Sequence, residues 1–268
     1  MKKWTGERLE PFVYNRVAIE HLHRYAITSA YIKDKIVLDI ASGEGYGTSL
    51  MSKHASFVYG VDIDKQSIAL AKLKYKAENI EYLEGSTSNI PLADNSVDVV
   101  VSFETIEHHD EHEKMMLEIK RVLRPEGILI ISTPDKLYYS ELRDIVNEFH
   151  VKELYKNEFI SLISNYFSKF QLLSQTYNNG SSIIQEDTII KNSNYFYGNY
   201  TTINNRVINP MFLIIIASDH IVEKYNISFF DGGDFIKKGW LEEIKASHTY
   251  KVGHAILLPF KFLKRILK

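Results

Sequence analysis

The run Val37-Leu-Asp-Ile-Ala-Ser-Gly-Glu-Gly-Tyr-Gly47 constrains this chain more than any other feature. Val37, Leu38 and Ile40 are β-prone apolar residues, so the run begins as a buried strand. Gly43, Gly45 and Gly47 follow in a turn where a ligand can approach the backbone closely. A second apolar run, Phe57 to Val61, ends in Asp62 and Asp64. An acidic residue about 20 positions beyond the glycines is where a βαβ unit grips a ribose. The two runs predict a nucleoside-bearing cofactor lying across the carboxyl ends of parallel strands.

The rest of the chain extends that unit. Apolar runs at 36–40, 57–62, 80–84, 97–102 and 127–132 alternate with helical stretches near 45–54, 65–77 and 110–123. This alternation calls for a parallel, doubly wound α/β sheet. Val17, Leu22, Tyr25 and Ala26 recur at helical spacing within 10–32. Lys156 to Phe167 reads as a further helix, and 170–176 and 211–217 as further strands. Between those strands lies an Asn/Ser/Tyr-rich insertion, 178–210, longer than ordinary connections. It suggests a lid, a substrate loop or an oligomer contact.

The glycine spacing is G-x-G-x-G rather than the dinucleotide G-x-G-x-x-G, and Asp39 sits inside the preceding strand. A nucleoside amino acid has no pyrophosphate to seat, so Asp39 and Glu44 can face its ammonium and sulfonium charges. Val37 to Gly47 resembles motif I of the class I S-adenosylmethionine-dependent methyltransferases, and Gly60-Val-Asp-Ile-Asp64 resembles their second motif. Tyr82-Leu-Glu-Gly-Ser86 with Ile90-Pro-Leu92, Ser96 to Glu104, and Arg121 to Pro134 resemble the later strands. Ser86 stands where the family usually has Asp, and Glu126 replaces the usual first glycine of its turn. The resemblance implies a mostly parallel seven-stranded sheet, with 170–176 and 211–217 as its last two strands and one antiparallel. It implies a domain over 1–218, with an N-terminal helical cap 1–34 and the insertion 178–210, followed by an extension 219–268. Cofactor contacts are implied at Asp39, Ala41, Gly43, Glu44, Gly45, Asp62, Ile63, Ser86, Thr87 and Phe103.

Glu104-Thr-Ile-Glu-His-His-Asp-Glu-His112 follows the fourth strand, where substrate and cofactor should meet. In a helical turn over 104–108, Glu104, Glu107 and His108 share one face. Two carboxylates and an imidazole there can hold a divalent ion, with His150 as a fourth ligand. This E-x-x-E-H plus distal His resembles the metal site of small-RNA 3′-terminal 2′-O-methyltransferases, and its first part that of ubiquinone-pathway O-methyltransferases. The resemblance implies Glu104, Glu107, His108 and His150 as ligands of Mn²⁺ or Mg²⁺. The alternatives are metal-free general-base catalysis by His108 or His150, or a structural role. His109 and His112 read as solvated residues at a charged helix start, with Asp110 as its N-cap. His21 and His23 read as packing or surface residues.

The acceptor is narrowed only by resemblance. Trp4 to Arg8, Glu20 to Tyr25 and Phe149 to Glu153 resemble methyltransferases of bacterial surface-polysaccharide biosynthesis, of the capsule and O-antigen kind. That implies a sugar, nucleotide-sugar or glycan acceptor, or its phosphate-type decoration. A small aromatic or quinone-like acceptor and a non-catalytic cofactor-binding scaffold are the alternatives. A net charge of −2 over 268 residues argues against broad nucleic-acid binding. The absence of Cys excludes disulfides and thiolate chemistry. No signal-like or membrane-spanning run is visible, so a cytoplasmic enzyme is expected. From Phe260 onward a basic amphipathic helix would rest on the inner membrane surface, or pack on the domain or on a second subunit of a homodimer.

Overall fold

The computed structural model describes residues 13–191, 193–221 and 223–256. Helix α1 (Arg16–Ile32) opens the described chain, capped by the Asn15 side chain, which accepts from Ala18 N. It is followed by β1 (Ile36–Ile40), α2 (Tyr46–Met51), β2 (Phe57–Asp62), α3 (Lys65–Lys74) and β3 (Ile80–Glu84). Then come β4 (Val97–Phe103), a 3₁₀ turn Ile106–His108, α4 (His112–Val122), β5 (Leu123–Pro134) and α5 (Lys136–Tyr139). The second half holds α6 (Lys156–Ser164), β6 (Lys169–Asn178), β7 (Ser181–Glu186), α7 (Asp187–Lys191), β8 (Tyr195–Gly198) and β9 (Ile203–Arg206). It closes with β10 (Phe212–Ser218), β11 (Ser228–Asp231) and α8 (Gly233–Ala246).

The central sheet runs β11-β7-β6-β10-β5-β4-β1-β2-β3. Strands β3, β2, β1, β4 and β5 are mutually parallel, as the βαβ alternation requires. Strand β10 lies antiparallel between β5 and β6. All seven of its residues are buried, as expected for a central strand covered on both faces. The seven expected strands are thus present, including the inverted last one. Two more extend the sheet to nine, because β7 turns back on β6 and β11 pairs with β7.

Side-chain alternation sorts the core into two layers. Leu38, Ile40, Val100 and Ile131 pack with Met115, Met116 and Ile119 of α4 and Phe159 and Ile163 of α6. Val37, Val99, Val101 and Ile214 pack on the other face with Ile27 and Ile32 of α1 and Met51 of α2. Residues 178–210 are therefore not one long loop but β7, α7 and the β8–β9 hairpin. Lys156 and Asp187, 2.9 Å apart, pin α7 to α6. His23 also fastens the added strands, with Nδ1 2.9 Å from Ser182 Oγ and Nε2 2.8 Å from Ser228 Oγ.

Two expectations fail near α4. Glu111, not Asp110, is its N-cap residue. His112 is buried rather than solvated, because its Nε2 donates to the carbonyls of Ile106 and His109 at 2.9 and 2.8 Å. Trp4 to Arg8 and the basic amphipathic stretch from Phe260 lie outside the described residues. Among the described residues no helix is long and apolar enough to cross a membrane.

Candidate functional site

The turn after β1 is built from left-handed backbone, with φ of +61° at Ala41, +53° at Gly43 and +81° at Gly45. Glycine takes this conformation without strain, whereas Ala41 is held there against a steric cost. Two backbone donors hold Asp62 at the end of β2. Gly43 N reaches Oδ2 and Asp64 N reaches Oδ1, both at 2.8 Å. A Cβ on Gly43 would meet nothing within 4 Å, so this turn faces open space.

Asp39 does not face that space. It is 2% exposed, accepts from Thr48 Oγ1 at 2.7 Å, and lies 3.4 Å from Tyr25 OH. Burial pushes its carboxyl up to about 7. Gly45 is also behind the wall, since a Cβ there would lie 2.8–2.9 Å from Ala71 and the Tyr82 ring. Neither residue is part of the cavity lining, and both shape the turn from behind. Glu44 does line the space, paired with Lys74 at 3.2 Å.

A cavity of about 760 Å³ opens above the carboxyl ends of β1, β2, β4 and β5. Of the predicted cofactor contacts, Ala41, Gly43, Glu44, Asp62, Ile63, Ser86, Thr87 and Phe103 line it. Ser86 Oγ sits 3.0 Å from Ser88 Oγ, and Thr87 Oγ1 lies 3.4 Å from His109 Nε2. His109 is therefore a half-buried cavity residue and not a solvated one; burial lowers its affinity for a proton.

Helix α1 roofs the cavity. His21 Nδ1 meets Tyr46 OH at 3.1 Å, and Tyr25 packs edge-on to Phe103 at 5.2 Å between centroids. A Cβ on Gly47 would fall 2.0 Å from the Tyr25 ring, so this glycine admits the helix. Arg24 is fully buried beneath the roof, over the Phe212 ring at 4.9 Å, donating to Gln175 Oε1 at 2.6 Å. The sequence reading assigned no role to Arg24, although its charge on the buried face of an amphipathic helix was a visible signal.

The segment after β4 departs from the expected helical turn. Glu104 takes φ +51°, and the 3₁₀ turn starts only at Ile106. Glu104 Oε1 accepts from Ser132 Oγ at 2.6 Å and lies 4.0 Å from Arg24 Nη1. The compact group is consequently Glu107, His108 and His150, whose ligand atoms lie within 4.8 Å of one another. Glu104 flanks this group without joining it.

Outer partners fix both imidazoles of this trio. His108 Nδ1 is 3.0 Å from the Phe149 carbonyl, which can only accept, so Nδ1 carries a proton and Nε2 is the nitrogen left for a ligand. His150 Nδ1 is held at 2.5 Å by Glu153 Oε1. Such outer partners orient metal-binding imidazoles. Glu107 is 1% exposed, and burial together with the Glu104 charge raises its pKa well above the carboxylate range. A nearby positive charge would offset both effects.

Residues 38–131 match the family model of a methyltransferase domain. A probable S-adenosylmethionine-dependent methyltransferase of Mycobacterium tuberculosis is 39% identical over 162 residues, 59% of this chain and 58% of that protein. A phthiotriol/phenolphthiotriol dimycocerosates methyltransferase of the same organism is 31% identical over 115 residues, 42% of each chain. The chain spans about three fifths of the length of the first of these relatives. Among solved structures, the YcgJ protein of Bacillus subtilis superposes with a TM-score of 0.56 at 18% identity, over 75% of this chain and 100% of that one. A SAM-dependent methyltransferase of Archaeoglobus fulgidus gives 0.56 at 17%, over 76% and 94%. At such identities the likeness is one of fold: a Rossmann-like α/β sheet of the methyltransferase kind.

Proposed function

We propose that this chain, whose residues 38–131 match a methyltransferase-domain family model, is an S-adenosylmethionine-dependent enzyme that methylates an oxygen of a sugar, nucleotide-sugar or glycan with help from a divalent cation. The observation that carries the reading is the Glu107, His108 and His150 trio at the cavity wall. Both imidazoles have Nδ1 engaged, so Nε2 is the nitrogen that would meet the cation.

S-adenosylmethionine, when bound, supplies a sulfonium methyl carbon that an oxygen attacks in line, breaking the S–CH₃ bond and releasing a neutral thioether. Asp62 would accept from the ribose hydroxyls, and the Gly43 turn would let the methionyl part approach the backbone. Ser86 and Thr87 would take the adenine side. A divalent cation would lower the pKa of the acceptor hydroxyl and orient it. Glu107, His108 and His150 would hold that cation, a mixed N/O set that suits Mn²⁺ and, with water and substrate oxygens added, Mg²⁺. The hydroxyl proton leaves as the new O–CH₃ bond forms, and an imidazole Nε2 is the nearest base if no cation is bound. Positioning against the methyl supplies much of the remaining acceleration.

An exposed aromatic hairpin is in keeping with a saccharide ligand. The β8–β9 hairpin exposes Phe196, Tyr197 and Tyr200 among Asn199, Asn204 and Asn205. Aromatic faces stack on the apolar faces of sugar rings while amides bond their hydroxyls. A small aromatic acceptor is the second reading, favoured by Tyr139, Phe149 and Phe212 in the cavity wall. The test is metal content and S-adenosylhomocysteine formation on purified, then chelator-treated, protein offered sugar nucleotides. Near-stoichiometric metal, with turnover lost on chelation and regained with Mn²⁺ or Mg²⁺, is expected. Undiminished turnover in the chelated protein would remove the cation, and turnover with phenols alone would remove the sugar.

A further inference from the structure

Two arginines converge on one sulfur atom at the cavity wall. Arg16 Nη2 lies 2.8 Å and Arg143 Nη1 4.0 Å from Met211 Sδ. A thioether is a weak acceptor and offers neither guanidinium a countercharge. Arg16 is partly neutralised, its Nε donating to Glu20 Oε1 at 2.8 Å. Arg143 makes no ion pair among the described residues and donates only to the Tyr139 carbonyl at 3.3 Å besides. Both side chains line the cavity, and Arg16 keeps 40% of its side-chain surface exposed. With Glu20 paired to Arg16, the two guanidiniums still leave a net positive charge at this wall that an incoming anion can neutralise.

The place of the pair says which ligand that anion belongs to. Met211 precedes β10, and the sheet order from β10 to β2 is β10-β5-β4-β1-β2. Four strand spacings of about 4.8 Å put the Arg pair roughly 19 Å from Asp62, too far along the sheet to serve the nucleoside end of the cofactor. Only two spacings, about 10 Å, separate it from the end of β4, where the Glu107 turn begins. The span from that turn to the arginines is about that of a sugar ring and its linking oxygen.

We propose that Arg16 and Arg143 clamp a phosphate-type anion carried by the acceptor, one sugar ring away from the oxygen that is methylated. This rests on the methyl-transfer reading and narrows its acceptor to a phosphorylated or nucleotide-linked sugar. Guanidinium forks match the oxygen spacing of phosphate and bind it in paired hydrogen bonds. Met211, between the two forks, would keep them apart and pack against the apolar side of the ester.

The test is calorimetric titration of inorganic pyrophosphate into protein saturated with S-adenosylhomocysteine, comparing wild type with Arg16→Gln/Arg143→Gln. At least a tenfold rise in the pyrophosphate Kd is expected, with the S-adenosylhomocysteine Kd unchanged and the fold retained. The Arg143→Lys variant, which keeps the charge but loses the fork, should fall between the two. UDP-glucose binding tighter than glucose 1-phosphate would assign the anion to a nucleotide diphosphate, and the reverse order to a sugar monophosphate. A pyrophosphate Kd unaltered by the double substitution, or malonate binding as tightly as pyrophosphate, overturns the clamp. Failure of wild type to bind S-adenosylhomocysteine would overturn the methyl-transfer reading instead.

Discussion

Asp62 and Gly43 are joined across the two strand ends by a 2.8 Å hydrogen bond from the glycine N–H to Oδ2. One carboxylate therefore shapes the glycine turn and faces the cavity that the turn borders. Asp62→Ala removes both effects. We expect S-adenosylhomocysteine binding to weaken by about 1.5–3 kcal/mol, the range of a hydrogen bond to a charged group. Calorimetry would check it, and an unchanged Kd would take Asp62 out of the ribose role.

Glu153 touches His150 and lies outside the trio. Replacing it with Gln keeps the shape but lets either end of the amide face Nδ1, so the tautomer is no longer fixed. Mn²⁺ affinity should drop by about 10–100-fold, as for other outer partners of metal-binding imidazoles. Fold and S-adenosylhomocysteine binding should persist. Equal Mn²⁺ affinity in the two proteins would leave Glu153 a purely structural residue.

His23 makes acid sensitivity local. Burial and the nearby Arg24 charge lower its pKa from 6.5 to about 4 in the folded protein. Between those values the unfolded chain binds the extra proton, so stability falls as pH drops through 6.5 towards 4. The loss is on the order of 2–3 kcal/mol. Denaturant midpoints of wild type and His23→Gln should diverge at pH 7 and approach one another near pH 4. Parallel curves across the window would contradict the assignment.

Gly47 tests the roof. Gly47→Ala places a methyl group inside the Tyr25 ring, and α1 must lift or the ring must turn. Overpacking of this kind costs about 1–3 kcal/mol. Tyr25→Leu in the same chain should recover part of the lost Tm, because the smaller side chain vacates the spot. Additive losses in the double variant would mean that the two positions do not meet.

The parallel half of the sheet could be read directly, because Val37 to Ile40, Phe57 to Val61 and Val97 to Val101 are short apolar runs punctuated by turn residues. Strand β10 was equally visible in its unbroken run from Phe212 to Ala217. The outer strands were not, since Ile183–Ile184 and Phe229–Phe230 are pairs too short to mark a strand; His23 on a distant helix bonds Ser182 and Ser228 beside them. In the site, residue type was a good guide but direction was not. Asp39 alternates onto the α1–α2 side of β1, so its carboxylate meets Thr48 and stays out of the cavity lining. Glu104 was placed with Glu107 and His108 by assuming helical backbone, and its left-handed φ turns it towards Ser132. The cavity arginines come together from α1 and the segment after α5, a proximity that only the tertiary fold creates.

The position of β10 has a consequence for the order in which this protein is made. It leaves the ribosome after both β5 and β6, yet it sits between them and bonds to both. Until Phe212 to Ser218 emerge, β5 has an open flank, and β6 with β7 can exist only as a hairpin waiting for a place. The growing chain thus carries an unpaired apolar edge from the completion of β5 until β10 is made, the state most prone to sticking to its neighbours. Met211 and Phe212 arrive with that same strand, so their wall of the cavity is completed in the step that closes the sheet.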